Sequence, residues 1–182
     1  MIIGISGVAG SGKDTAADYL VSEYGFTKVS FAAILKNMLS VAGLPEPSNR
    51  DDKEKNVAGF SFTWREAAQR LGTEWGRGLD ENIWVKMTMN SLEPSKDYVI
   101  SDIRFDNEAT AVINDLGYTI KIVGRDVDLG YNSSHQSEKG ISEKLVYSEI
   151  CNNSEVDYLY EQLDLILQSL KEDGNEYHTK HP

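Results

Sequence analysis

Gly7-Val8-Ala9-Gly10-Ser11-Gly12-Lys13 has the composition to cradle a phosphate. Glycines at these spacings let successive backbone N–H groups turn inward, because a residue without Cβ adopts conformations that others avoid. The amides of Gly7, Ala9, Gly10, Ser11 and Gly12 are thus candidate donors, and Lys13 adds a mobile positive charge. A helix opening directly after the loop contributes the positive end of its dipole. The usual pattern closes with Ser or Thr after the lysine, whereas here Asp14 stands in that place and Thr15 follows. Thr15 is then the hydroxyl to hold magnesium through water or to reach a phosphate. Asp14 suits the first turn as a carboxylate, and a direct role for it in the loop stays open.

A second set of reactive groups sits at the end of an apolar run, where Asp102 is followed two residues later by Arg104. At the carboxyl edge of an α/β sheet such a carboxylate can meet magnesium or orient an acceptor, and such an arginine can contact phosphate. A surface ion pair is the alternative for Arg104, and helix capping is the reading for Asp106.

These groups need elements to hold them. Apolar runs rich in β-branched residues alternate with segments of helical period, which predicts a parallel sheet between helices. Strands are expected at Ile2 to Ser6, Thr27 to Phe31, Tyr98 to Ile103, Tyr118 to Val123 and Glu149 to Asn152. Helices are expected at Asp14 to Tyr24, Ala32 to Ala42, Thr63 to about Arg77, Glu81 to Leu92, Asn107 to Leu116 and Val156 to Leu170. Pro45, Pro47 and the charged run from Asn49 to Lys55 mark an exposed loop. Residues 125–140 are polar with glycines at the bends, and beyond Lys171 the chain reads as a polar, frayed tail.

At 182 residues the length fits one domain, expected over residues 1–170. Cys151 is the single cysteine, so no disulfide or cysteine metal cluster forms within the chain, and a reducing cytoplasm suits it. The apolar run after Met1 is too short for a secretion signal or a membrane span. A formal charge of -11 disfavours polymeric nucleic acid, whose affinity comes from Lys and Arg neutralising phosphates. A small anion in a locally cationic pocket remains compatible with it.

Neither a guanine-reading Asn/Thr-Lys-x-Asp element nor an Asp-x-x-Gly element occurs, which argues against a GTPase switch. Ring and motor ATPases draw arginines from a neighbouring subunit, whereas several arginines fall within this one chain. The chain resembles the bacteriophage deoxynucleoside monophosphate kinases in four segments: Ser6-Gly7 through Gly12-Lys13-Asp14-Thr15-Ala16-Ala17; Ser30-Phe31-Ala32 with Leu35-Lys36; Gln69-Arg70-Leu71-Gly72-Thr73-Glu74-Trp75-Gly76-Arg77; and Ser101-Asp102-Ile103-Arg104-Phe105-Asp106-Asn107-Glu108. His135-Gln136-Ser137-Glu138 is a weaker fifth. The resemblance spans roughly residues 1 to 165. It implies a three-layer P-loop NTPase fold with a five-stranded parallel sheet, a small lid at about 125–140, ATP with Mg2+ on the glycine loop, and a deoxynucleoside monophosphate opposite. Where relatives carry a glycine after an Asn turn, this chain has Ser154 after Asn152-Asn153, so donor-base contacts there stay open.

Phosphoryl transfer asks a protein for alignment and for cations around the moving group. Arg70 and Arg77, seven apart on a helix that would also present Thr73 on the same face, are expected to hold the acceptor's 5'-phosphate, or else to pair with Glu66 or Glu74. Lys36, within the second segment, joins the acceptor set. Trp64 follows core spacing, whereas Trp75 is either core or a wall against the acceptor's base or sugar. Glu108 orients Arg104 or the sugar. Arg125 is the candidate cation for the transferring group, with Lys121 and Lys139 as weaker substitutes, and His135 and Glu138 are lid-borne contacts to substrate. Competing readings keep the kinase but change the acceptor, for example to dephospho-coenzyme A, or keep nucleotide binding without catalysis. The base accepted, the exclusion of ribose and homodimer formation are left open by the sequence.

Overall fold

In the computed structural model, residues 1–124 and 140–180 are described, with the backbone alone for residue 50 and residues 173–180. Ile2–Ser6 forms the central strand β1, every residue of it buried. It stands in a five-stranded parallel sheet of order β2-β3-β1-β4-β5, with β2 at Thr27–Val29, β3 at Tyr98–Ile103, β4 at Tyr118–Val123 and β5 at Ser148–Cys151. Helices flank the sheet. A strand covered on both faces reads as a nearly continuous apolar run, as β1 does, while β4 alternates; β1, β3 and β4 all have the limits the sequence predicts.

The strand expected to reach Phe31 stops at Val29. Ser30 ends it by local competition for the backbone: its Oγ accepts from the Ala32 N–H at 3.1 Å and its carbonyl from the Ala33 N–H at 3.1 Å.

Helix α1, Lys13–Tyr24, ends where Gly25 adopts φ +73, and the Phe26 N–H folds back to the Leu20 carbonyl at 3.3 Å. Ala16, Ala17 and Leu20 of α1 share one core with Ile3, Ile5, Val99, Ile120, Ile122 and Ile150 of the sheet. Leu159, Leu163, Leu167 and Leu170 of the last helix, which starts at Val156, complete it. Tyr19 and Tyr24 both donate to Asp164 Oδ1, at 2.7 and 2.6 Å, and the Tyr19 ring stacks on Tyr160 at 4.0 Å. Those bonds to a carboxylate, with burial, push the Tyr24 hydroxyl up to about 12 and raise Tyr19 further. The tail expected to fray beyond Lys171 remains helical to Lys180. Once a helix is nucleated against a core, each further residue adds a bond without a new nucleus, and Gln168 reaches Glu172 across one turn at 3.1 Å.

The chain groups into two compact units, Met1–Lys28 with Ser95–Pro182, and Val29–Pro94. The first holds nearly all of the sheet, α1, a helix at Asp106–Asn114 and the Val156–Lys180 helix. The second contains α2 (Ala33–Val41), a four-residue α3 (Arg50–Lys53), α4 (Trp64–Gln69), a π-helical segment Arg70–Arg77 and α5 (Ile83–Met89); the two later helices are α6 and α7 in chain order. The short α3 lies within the stretch expected as loop, started by Asn49 accepting from the Asp52 N–H at 2.8 Å.

Thr63 and Glu66 start α4 reciprocally: the Thr63 hydroxyl accepts from the Glu66 N–H at 3.1 Å, and the Glu66 carboxylate from the Thr63 N–H at 2.7 Å. Trp64 is buried, with its indole N–H on the Leu44 carbonyl at 3.1 Å, as core spacing predicts. The helix expected to continue as α to Arg77 changes to π geometry at Arg70. Trp84 supplies the reason: its buried indole N–H donates to the Gly72 carbonyl at 2.8 Å, an added donor that competes with the regular ladder. Among the described residues no helix is long and apolar enough to cross a membrane.

Candidate active site

Because β1 lies between β3 and β4, with Ser6 opposite both Ile103 and Lys121, the glycine loop emerges at the middle of the sheet's carboxyl edge. Gly7, Gly10 and Gly12 have φ of +143, +82 and +101. A Cβ on Gly7 would lie 2.5 Å from the Ile122 carbonyl oxygen, and one on Gly12 would lie 2.3 Å from Asn152 Nδ2. Close approach as well as backbone angle therefore requires glycine at both. Gly12 is the left-handed residue before α1, and as the helix's N-cap it brings no side-chain acceptor to the first turn. Lys13 lies back over the loop and donates from Nζ to the carbonyls of Gly7 at 2.8 Å and Val8 at 2.7 Å. Ser11 is fully buried, with its N–H on the Val8 carbonyl at 3.1 Å, whereas Gly10 is exposed.

Asp14 and Thr15 are both exposed in the first turn of α1. Asp14 has a partner that sequence reading missed: Lys28 of β2 stands 3.0 Å from its carboxylate and 2.9 Å from that of Asp18. Burial pulls the Lys28 ammonium downward, but the hydrogen bonds to Asp18 and Asp14 outweigh it and hold the group above its ordinary value.

On the neighbouring strand Asp102 is half-buried, one residue before the Ile103 that pairs with Ser6, so it shares the carboxyl edge with the loop. Arg104 follows at the sheet's exit. Glu108 is 4 % exposed, and its Oε2 accepts from the backbone N–H groups of Arg104 at 2.8 Å and Phe105 at 3.1 Å. These bonds reach the backbone at Arg104 and Phe105, and so fix the chain where it leaves β3. Glu108 thereby caps α6, and Asp106, expected as the cap, does not. Asp106 instead accepts from the Ser142 N–H at 2.8 Å and hydroxyl at 2.5 Å, and these two bonds hold its carboxyl below the usual range. Lys121 is paired with Glu149 at 3.2 Å.

The remaining expected contacts belong to the second unit. Lys36 meets Glu46 at 3.1 Å, and Lys53, whose ammonium lies 5.4 Å from the Trp64 ring centre, meets the same carboxylate at 2.5 Å. Burial pushes Glu46 upward, but the hydrogen bond from Lys53 and the charge of Lys36 prevail and keep it below its ordinary value. Arg70 is exposed and 4.0 Å from Glu74, the surface pairing weighed for it. Arg77 donates to the Glu81 carbonyl at 3.2 Å. Thr73 is exposed, and Trp75 is 47 % exposed with its ring 6.4 Å from that of Trp84. The face expected to join Arg70, Thr73 and Arg77 assumed an α-helix; bonds from i to i+5 take seven-residue neighbours off a common face. Arg125, Lys139, His135 and Glu138 lie outside the described residues.

Sequence reading weighed the Asn152-Asn153 turn only for contacts to the donor base, not for a bond to the glycine loop, and passed over Trp84. A polar residue at a strand end and an apolar ring at helical spacing are both common, and neither signals a contact with a glycine motif elsewhere in the chain.

No family model matches the chain. A protein of Acanthamoeba polyphaga mimivirus named as a deoxynucleotide monophosphate kinase is 32% identical over 188 aligned residues, covering 90% of this chain and 94% of that one. The deoxynucleoside-5'-monophosphate kinase of Escherichia phage T5 is 30% identical over 118 residues, covering 59% of this chain and 46% of the kinase, so the chain spans less than half of that protein. Among solved structures, TT1252 from Thermus thermophilus superposes with a TM-score of 0.52 at 20% identity, covering 93% of this chain and 97% of that one, a likeness of fold. With the glycine loop, Lys13 and Asp102 on one sheet edge, and a relative matched over almost its whole length, the chain belongs to the deoxynucleoside monophosphate kinase family of phosphotransferases.

Proposed function

We propose that the chain transfers the γ-phosphoryl group of ATP to a deoxynucleoside monophosphate, giving ADP and the deoxynucleoside diphosphate. The observation that carries this reading is the loop from Gly7 to Lys13, with three glycines at positive φ and a lysine amine folded across its carbonyls at the start of α1. That cradle fits a polyphosphate: the backbone between Gly7 and Thr15 supplies amide donors, with the exception of Ser11, expected among them but bonded to the Val8 carbonyl, and Lys13 exchanges loop carbonyls for phosphate oxygens.

The donor set also fits magnesium. Mg2+ commonly takes one or two protein oxygens and completes its shell with water and phosphate, so Thr15 and Asp102 suffice. Among the described residues no group of three or more His, Cys, Asp or Glu converges, and this chemistry requires none. When bound, Mg-ATP supplies the transferable group and a cation against the charge that develops on it.

The protein's part is alignment and charge. Lys13 holds donor phosphates; Arg104, steadied through its backbone by Glu108, contacts the phosphate between donor and acceptor. Lys36, Arg70, Thr73 and Arg77 bind the acceptor, and the exposed face of Trp75 supplies an apolar wall for its base or sugar. Arg125, His135 and Glu138 join this set on sequence grounds. A cytoplasmic setting agrees with this substrate class, and neither a nucleic acid polymer nor a membrane is required.

The test is a coupled assay of ADP formation with Mg-ATP against each deoxy- and ribonucleoside monophosphate, products being identified by chromatography. Turnover with one or more deoxynucleotides is expected. ATP binding without turnover of any monophosphate would overturn the acceptor assignment.

A further inference from the structure

We propose that the buried side-chain amide of Asn152 fixes the orientation of the Ser11–Gly12 peptide, and thereby aims the Gly12 N–H of the phosphate loop; this rests on reading that loop as the donor site. Asn152 follows β5 and is 3 % exposed. It is held before its side chain acts: its N–H donates to the Val123 carbonyl at 2.7 Å. The preceding residue, Cys151, exchanges bonds of 3.1 and 3.0 Å with the Gln162 side chain of α7. From that fixed base Asn152 Nδ2 donates to the Ser11 carbonyl at 2.7 Å, across 141 positions of sequence.

The consequence follows from peptide planarity. No cis peptide occurs among the described residues, and in a trans peptide the carbonyl and the following N–H point opposite ways. Holding the Ser11 carbonyl toward Asn152 turns the Gly12 N–H to the other side. Glycine at that position offers little steric resistance to rotation of the peptide before it, so an outside tether has something to decide. The same lack of Cβ at Gly12 admits the amide to its place.

A second observation marks the spot as more than core packing. Asn152 Oδ1 and Ser11 Oγ are buried, and no described residue hydrogen-bonds to either. A contact serving stability alone would be better filled by apolar groups, since buried polar atoms without partners are a net cost. Asn152 is a positioning residue that acts on the donor through the loop.

Asn152→Asp keeps the shape but, when ionised, has no proton to give; protonated, it donates again. ATP affinity of the full chain, measured by calorimetric titration, should fall about tenfold at about pH 8. It should recover as the pH drops toward about 5, because burial raises a carboxyl's pKa. Acceptor KM should stay unchanged. Asn152→Leu has no donor at any pH and should remain weak throughout. A purely structural role would lower Tm in both variants and leave no pH-dependent recovery of ATP affinity. Should neither variant fold, NMR of the wild type decides: the Asn152 side-chain amide protons should exchange more slowly than those of exposed Asn153, and the Gly12 N–H should shift on adding ATP. Unchanged ATP affinity in Asn152→Asp at the higher pH, or fast exchange with no shift, overturns the inference and leaves the kinase reading standing. Failure of the wild type to bind ATP overturns both.

Discussion

The loop Gly7 to Lys13 and the segment Gln69 to Arg77 are both punctuated by glycine and both carry cations, yet they are held in different ways. In the loop the candidate groups are backbone amides, at the end of a strand set between two core strands, with Ser6, Ser11 and Asn152 buried around them. In the π-helical segment the candidate groups are exposed side chains on Arg70, Thr73 and Trp75, and the buried residues are Gly72, whose carbonyl accepts from the Trp84 indole, and Gly76, packed on the Trp84 ring. A donor's phosphates are common to every substrate pair, so a rigid backbone cradle suits them. An acceptor's sugar and base vary, and recognition by side chains on an irregular helix leaves room for that variation.

The largest expected effect tests the cradle. Lys13→Ala should lower kcat by about 10³-fold, the scale of removing a donor to developing charge, with Tm little changed because the bonds from Nζ to the Gly7 and Val8 carbonyls lie within the loop's own turn. A Tm loss matching the loss of activity would show that the lysine supports the fold and would break the contrast. Gly76→Ala addresses the other region. The new Cβ would stand 2.3 Å from the buried Trp84 ring, so overpacking should cost about 1–3 kcal/mol, and KM for the acceptor should rise while KM for ATP holds. An equal rise in both would mean that the two regions are not separable in function.

The smallest effect concerns the Asp106 carboxylate, at the start of α6 near Arg104. Its pKa is lowered in the folded chain by the bonds from Ser142, so the stability it contributes is present above the ordinary carboxylate range and lost as pH falls through the folded value. Asp106→Asn should therefore unfold more easily than wild type near neutral pH, by less than about 1 kcal/mol for so exposed a group, and the difference should vanish in acid. Tm measured across pH checks this. A difference that grew as pH fell would reverse the sign and remove Ser142 as its cause.

Buried parallel strands were the most legible part of the chain. β1, β3 and β4 have the predicted limits because each is a short stretch rich in β-branched and apolar residues, continuous in β1 and at the start of β3 and alternating in β4. β2 was harder, since Ser30 stops it through hydrogen bonds that composition does not advertise. The start of α4 at Thr63 was legible, but the reciprocal bonds of Thr63 and Glu66 were not read, and the cap at Glu108 was missed because Asp106 offered a nearer candidate. The shared face of Arg70 and Arg77 was lost for a different reason: helical periodicity assumes regular α geometry, and Trp84, from a separate helix, removes it.

What the amino-acid order determined unaided is therefore local. The glycines that need positive φ, the lysine one residue after the last of them, the strand before and the helix after lie within a short stretch, and backbone sterics with hydrophobic burial are enough to place them. The tertiary structure decided which distant groups come to rest on that stretch: Asn152 against the Ser11 carbonyl, Lys28 beside Asp14, and Glu108 under the backbone of Arg104. Each is a polar contact whose geometry exists only after the sheet has aligned its carboxyl edge, and a linear pattern carries no record of which partner a buried polar group will find.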